Sequence, residues 1–440
     1  MRWHRIIGHD SGGSLLGAAW YTACLGLVLA LAGCGSVAKG VTEAILERSE
    51  TEDTRACHIT GPASTGLATL LETQEQRRAG SQSEPTLKIL MVHGIGRHLP
   101  GYSARLTEHL MRALELNVTS ERAKEIVLQS PAYPDQQLGQ LRINRFTNKA
   151  RTRELLFYEL TWSEIIEAEK KPIAFDDSSE YTFRRTALNS FMKEFFNSHV
   201  SDPLIYLGRS HTKILTSVRE AFCWMTQGDW DDYEDFTNEP CDIYSQTRAQ
   251  QILEDDIVIV THSLGSRMII DTAQSVAALT ARDQRPELDG IRQLFRTKEL
   301  RVYMLANQLP LLELGREPAE VRGEIAAYCT PDGEKFDQRM IGNLAIFAFS
   351  DPNDLLSYAI PPKFVDDYMD SRICPRITNI ILNVAQPLSL LGLGEFANPL
   401  DAHTAYDYDD RVIAIMAHGI GHDGSAQIVK DRCTWMETES

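Results

Sequence analysis

A chain of 440 residues, 43% hydrophobic and 24% charged, has the composition of an ordinary globular protein with ample core, in one elaborated domain or several. Its formal net charge of −17 argues against a nucleic-acid partner, which needs a basic face, and disfavours electrostatic docking on anionic lipid headgroups. None of the eight cysteines forms a Cys-x-x-Cys pair, so spacing supports neither a zinc site nor a redox dithiol, and no cofactor is expected.

At the N-terminus, Arg2 and Arg5 precede a polar stretch and the apolar run Thr22 to Ala32, which closes on Leu31-Ala32-Gly33-Cys34. A short hydrophobic segment behind positive charge, ending in small residues, reads as a secretory signal rather than a membrane span. Leu-Ala-Gly-Cys resembles the lipobox of bacterial lipoproteins. The resemblance implies that residues 1–33 are a signal peptide and that Cys34 is acylated, palmitate being a typical chain, so the protein is membrane-anchored through lipid. Gly35, where Asp would retain a lipoprotein in the inner membrane, points to the outer membrane facing the periplasm. An ordinary cleaved signal or an uncleaved anchor are the alternatives. Six cysteines then remain, Cys57, Cys223, Cys241, Cys329, Cys374 and Cys433. An exported compartment permits them to pair, and Cys223–Cys241, closing an acidic loop, is the specific expectation.

Residues 34–86 are rich in Ser, Thr, Glu, Gly and Ala, and read as a tether followed by poorly defined early structure. From Leu87 the pattern changes, and 87–440 reads as one domain. Leu87 to Val92 is a buried-strand run ended by His93-Gly94-Ile95-Gly96, and a helix with Leu106, Leu110, Met111 and Leu114 on its apolar stripe follows. Further strands are expected at Leu155–Leu160, Ile257–Val260, Leu300–Leu305, Leu344–Phe349 and Ile377–Val384. Apolar strands without polar alternation, separated by helices, predict an α/β fold: a mostly parallel central sheet with helices on both faces. Residues 163–250 interrupt the alternation with two or three helices and the acidic, aromatic stretch 229–236. They are expected as a helical cap or lid over the active edge, or else a surface excursion.

The chemistry sits at the carboxyl ends of these strands, where parallel sheets place functional groups. Ser263, in Thr261-His262-Ser263-Leu264-Gly265, stands between the Ile257–Val260 strand and a helix over Ser266 to Ala281, the position of a nucleophile elbow with Thr261 replacing its first glycine. The bland alternative is a helix N-cap. A serine hydroxyl needs an imidazole to take its proton, and the imidazole needs a carboxylate to hold its tautomer. Asp351 and Asp354 follow the Leu344–Phe349 strand, and His403 lies beyond the Ile377–Val384 strand. Ser, acid, His in that order resembles the α/β-hydrolase superfamily over roughly residues 87–418, in its lipase/esterase-like branch. The resemblance implies that Ser263, Asp354 and His403 are catalytic, with Asp351 the secondary acid candidate. It further implies that the backbone amides of Leu264 and Ile95 form the oxyanion hole. His418 and His422, in a Gly-rich helix stop, compete with His403. A metal reading could recruit His93, His98, His418 and His422, but no helix-borne His-x-x-x-His with an adjacent acid supports it.

The expected activity is that of a serine esterase or lipase acting on a lipid or other acyl ester. Two alternatives remain: a catalytically idle scaffold or binding protein with the same fold, and an amidase or peptidase using the same triad. Oligomeric state has no signature in the sequence.

Overall fold

The buried-strand runs do form strands, and they lie side by side. The computed structural model describes residues 55–80, 84–133, 135–174, 186–242, 247–282, 285–389 and 395–438. The signal peptide and Cys34 lie outside the described residues. In chain order the main strands are β1 (Cys57–Thr60), β2 (Leu87–Val92), β3 (Lys124–Gln129), β4 (Gln137–Thr147), β5 (Glu154–Thr161), β6 (Asp256–His262), β7 (Glu299–Leu305), β8 (Asn343–Ser350), β9 (Pro375–Leu382) and β10 (Thr434–Met436). They pair in the order β10-β1-β9-β8-β7-β6-β2-β5-β4-β3, and the two-residue strands Asn117–Val118 and Phe236–Thr237 complete a 12-stranded sheet. From β9 to β5 every pairing is parallel, and β4 and β3 extend the sheet antiparallel on one side. On the other side β1 runs antiparallel to β9 and parallel to β10.

The principal helices are α1 (Leu67–Gly80), α2 (Ala104–Ala113), α3 (Glu164–Ala174), α4 (Ser201–Tyr206), α5 (His211–Met225), α6 (Gly265–Arg282), α7 (Asp289–Thr297), α8 (Pro399–Thr404) and α9 (Asp410–His418). Residues 182–194 fall in a separate unit, of which 186–194 are described and form most of a helix, Ala187–Phe195. Among the described residues no helix is long and apolar enough to cross a membrane.

Strand β6 explains why the central strands lack polar alternation. Its Ile257 and Ile259 belong to one apolar core, with residues of α5 and α6, while Val258 and Val260 belong to a second, with residues of α1, α2 and α9. Successive side chains point to opposite faces, so a strand covered on both must be apolar throughout. The antiparallel strands β3 and β4 instead alternate buried and partly exposed positions over most of their length.

Two stretches differ from the sequence expectation. The tether reading does not extend to residues 55–80: β1 enters the main sheet, Cys57 is bonded to Cys433, and Leu67 and Leu71 of α1 are fully buried. A four-residue strand carries no periodic signal, and its disulfide, its sheet partners and the burial of Ile59 in the apolar core hold it. Nor does a cap describe residues 211–236. Helix α5 buries Ile214, Leu215, Val218, Ala221 and Met225 in the main core and packs on α6, β2 and β4. Lys88, wholly buried within β2, pairs with Asp255 at 2.6 Å and donates to the Gly228 carbonyl at 2.7 Å, so a buried cation ties this segment to the sheet. Such a charge is tolerated only when paired and hydrogen-bonded. The expected Cys223–Cys241 disulfide closes the end of α5 on the following loop, and Cys329–Cys374 is the third.

Candidate active site

The chain runs from β2 to β5 on one side of it, then returns to β6 on the other and continues outward through β7, β8 and β9. The strand order therefore reverses beside β2, and the crevice between the ends of β2 and β6 is where such sheets bind ligands. Ser263 and the His93–Gly96 loop meet there. Ser263 has φ of 57°, a left-handed conformation uncommon outside glycine and held only when the surroundings enforce it. Its amide donates to the Leu305 carbonyl at the end of β7 (2.9 Å), and its own carbonyl accepts the Ser266 hydroxyl (2.7 Å).

Glycine is required on both sides of this turn. A Cβ on Gly265 would stand 2.5 Å from the Val92 carbonyl oxygen, and one on Gly94 would stand 2.5 Å from the Ser263 Cβ and 3.0 Å from its Oγ. Thr261, the departure from the usual elbow pattern, is accommodated because it ends a buried strand where a β-branched residue fits. Its hydroxyl has no hydrogen-bond partner among the described residues.

His403 lies in the last turn of α8 rather than on an irregular loop. Asn398 caps this helix by accepting the Leu400 amide at 3.0 Å, and Pro399 occupies its first turn. The imidazole Nε2 is 3.0 Å from Ser263 Oγ, and Nδ1 is 2.8 Å from Asp354 Oδ2. Burial pushes the Asp354 carboxyl upward, but its hydrogen bond to His403, the imidazole charge and the Leu356 amide outweigh that and hold it below its ordinary value. An ionised Asp354 can only accept, which puts the imidazole proton on Nδ1 and leaves the Nε2 lone pair facing the serine hydroxyl. That is the arrangement in which a histidine can take a serine proton.

Asp351 is not brought to the imidazole. One carboxylate oxygen accepts the Asn353 amide (2.7 Å), and the other accepts the amides of Val384 (2.7 Å) and Ala385 (3.2 Å), so it ties the end of β8 to the chain leaving β9. His418 ends α9 at Gly419, whose φ of 74° stops the helix, and His422 Nδ1 accepts the Gly424 amide in the next turn.

Residues beside the three hold them in place. His262 donates from Nε2 to the carbonyl of His403 at 2.8 Å, holding the catalytic-histidine candidate from behind. Burial of its ring, then the neighbouring His403, pushes His262 down to about 3. In an unfolded chain a histidine titrates near ~6.5. Stability from this group is therefore complete above that value and declines as pH falls toward the folded value, because the unfolded chain takes up a proton the fold refuses. Urea midpoints should fall between about pH 7 and about pH 4, and His262→Gln, which can still donate to the His403 carbonyl, should fall less steeply. Equal slopes for the two proteins would refute this assignment.

The His93–Gly96 loop is held just as closely. His93 is buried, and that burial pushes its imidazole well below the usual range. Its Nε2 accepts the Trp162 amide (3.2 Å), its Nδ1 donates to the Gly94 carbonyl (2.9 Å), and its own carbonyl accepts the Trp162 indole N–H (3.1 Å). The amide of Leu264 lies directly after Ser263 at the start of α6, where helix N–H groups are unused by the helix itself. Ser263 is wholly covered, and His403 is 8% exposed. No family model, curated protein or solved structure matches the chain.

Proposed function

We propose that the protein is a serine hydrolase of the α/β-hydrolase fold that cleaves carboxylic esters through an acyl-enzyme intermediate. The observation that carries this reading is the unbroken chain Ser263 Oγ, His403, Asp354 at 3.0 and 2.8 Å, on a serine with φ of 57° at the sheet's switch point. Ser263 Oγ would attack the ester carbonyl while its proton passes to His403 Nε2. The oxyanion would be held by the amides of Leu264 and Ile95. Collapse would expel the alcohol, which takes the proton from His403. Water, deprotonated by the same imidazole, would then release the acid and restore the serine. Asp354 keeps its charge throughout and stabilises the imidazolium.

The same reading includes a lipid anchor on Cys34 in the bacterial envelope. Three disulfides among the described residues support an oxidising compartment for the folded chain. Of the expected cover, the described residues 163–174 and 195–210 remain the candidate for that role. Complete coverage of Ser263 is the observation that favours the second reading, an idle scaffold of the same fold.

A fluorophosphonate probe with the full-length protein decides between them. The expected result is labelling of the wild type, none of Ser263→Ala, and turnover of p-nitrophenyl esters at some acyl length. Labelling that survives in Ser263→Ala would assign the wrong nucleophile, and a folded wild type that neither labels nor turns over any ester would favour the scaffold. Parallel p-nitroanilides would reveal amidase activity. Incorporation of labelled palmitate, lost in Cys34→Ala, tests the anchor, and no incorporation into the wild type would remove it.

A further inference from the structure

We infer that Asp202, on α4, is a positioning residue for the oxyanion hole, acting by accepting the Gly96 amide. The inference rests on the serine-hydrolase reading and concerns how that site is kept in shape.

Gly96 N–H donates to Asp202 Oδ2 at 2.6 Å, and Asp202 is wholly buried. The two peptide groups flanking Ile95 are thereby both fixed. The first joins Gly94 to Ile95, and its carbonyl is taken by His93 Nδ1 at 2.9 Å. In a planar trans peptide the N–H points away from the carbonyl, so this bond sets the direction of the Ile95 amide. The second joins Ile95 to Gly96. Its carbonyl accepts His98 Nε2 at 3.0 Å, and its N–H is the one Asp202 holds. Without that acceptor the second peptide is secured at one end only. Gly96 has φ of 93°, open to glycine but with several alternatives nearby, so the loop's own conformation does not hold it.

The clamp has a firm base. Tyr206, also on α4, donates its hydroxyl to Asp271 Oδ2 at 2.6 Å, and Asp271 belongs to α6, the helix that Ser263 precedes. The acceptor for Gly96 and the nucleophile are thus referred to one rigid element. Lys170 of α3 lies 2.7 Å from the other Asp202 oxygen and also donates to the Ser198 carbonyl at 3.1 Å. That pairing has a chemical purpose. A bare carboxylate one peptide from a developing oxyanion would repel it, and the ammonium cancels the charge while leaving the hydrogen bond in place. The insertion would then serve the reaction by shaping the hole as well as by covering it.

The test compares the wild type, Asp202→Ala and the double variant Asp202→Asn with Lys170→Met, which keeps an acceptor for Gly96 and removes the cation left without its partner. Each is normalised by fluorophosphonate titration, so misfolded protein does not count. Per titrated site, Asp202→Ala should lose about 10- to 100-fold in kcat, somewhat less than deleting a donor outright, with KM changed less than about threefold. Affinity for a trifluoromethyl ketone, which forms an oxyanion on Ser263, should weaken by a similar factor. The double variant should recover most of both. A kcat per site within about threefold of wild type in Asp202→Ala, or a double variant as impaired as the alanine, would overturn the role of Asp202 while leaving the serine assignment intact. A wild type that takes up no probe would instead remove the reading on which the inference rests.

Discussion

Replacing His403 with alanine is expected to lower kcat for the best p-nitrophenyl ester by roughly a millionfold, with KM little changed. The size follows from the role. The imidazole 3.0 Å from Ser263 Oγ is positioned to take the proton that makes the hydroxyl nucleophilic, and to return it to the leaving alcohol. Without it Ser263 is an ordinary alcohol with a pKa far above neutrality. The Ser263→Ala, His403→Ala double variant should be no slower than either single variant, because one proton-transfer unit has already been lost. What survives would be the contribution of the backbone amides and of binding. Losses that multiplied, or a His403→Ala variant within about tenfold of wild type, would mean that His403 is not the base. The comparison with His418→Ala adds a control, since that histidine ends a helix and should be nearly neutral.

The second large effect separates the two aspartates. Asp354→Asn should cost about 10⁴-fold in kcat, because asparagine can offer its NH₂ to Nδ1 and turn the imidazole to the wrong tautomer, and cannot stabilise the imidazolium. Asp351→Asn should leave kcat per titrated site within a few-fold and instead lower stability. Asp351 accepts three backbone amides in a buried loop, and an asparagine NH₂ turned toward the Val384 and Ala385 amides leaves them without an acceptor. Charge-assisted hydrogen bonds of this kind are worth about 1.5–3 kcal/mol each, so a loss of a few kcal/mol in chemical denaturation is expected. The opposite pattern, with activity lost at 351 and stability at 354, would exchange the two roles.

The aspartates also mark a limit of linear reading. Both follow one strand within four residues, and each offers a carboxylate at the right edge. The resemblance to the α/β-hydrolases names 354 without giving the physical reason. What separates them physically is the direction of the chain after Ser350: it turns so that Asp351 faces the loop leaving β9, and Asp354 faces α8. Nothing in the residues on either side encodes that turn alone. It depends on where β9 and α8 lie.

Residues remote in sequence were invisible for the same reason. Asp202 reaches Gly96 across 106 positions, and Trp162 supports His93 across 69. A lone aspartate among helical residues carries no motif. Its only signal would be burial, which is a property of the packed chain. Strands β3 and β4 are a different case: Ile126 and Leu128 in one, and Leu141 and Ile143 in the other, alternate with partly exposed neighbours, so neither strand presents a continuous apolar run.

The amino-acid order alone determined the six parallel strands, because a strand buried on both faces must be apolar throughout and such runs are hard to mistake. It also determined which serine stands on a strand-to-helix turn and which histidine follows the last of those strands, since these are local matters of spacing, glycine and strand ends. Only the tertiary structure decided that Asp354 rather than Asp351 meets His403, that α5 belongs to the body of the fold, and that β1 and Cys57 close the sheet against Cys433. Those outcomes depend on distances between segments far apart in the chain. Packing sets such distances, and most buried polar groups find their partners wherever the fold brings one within reach.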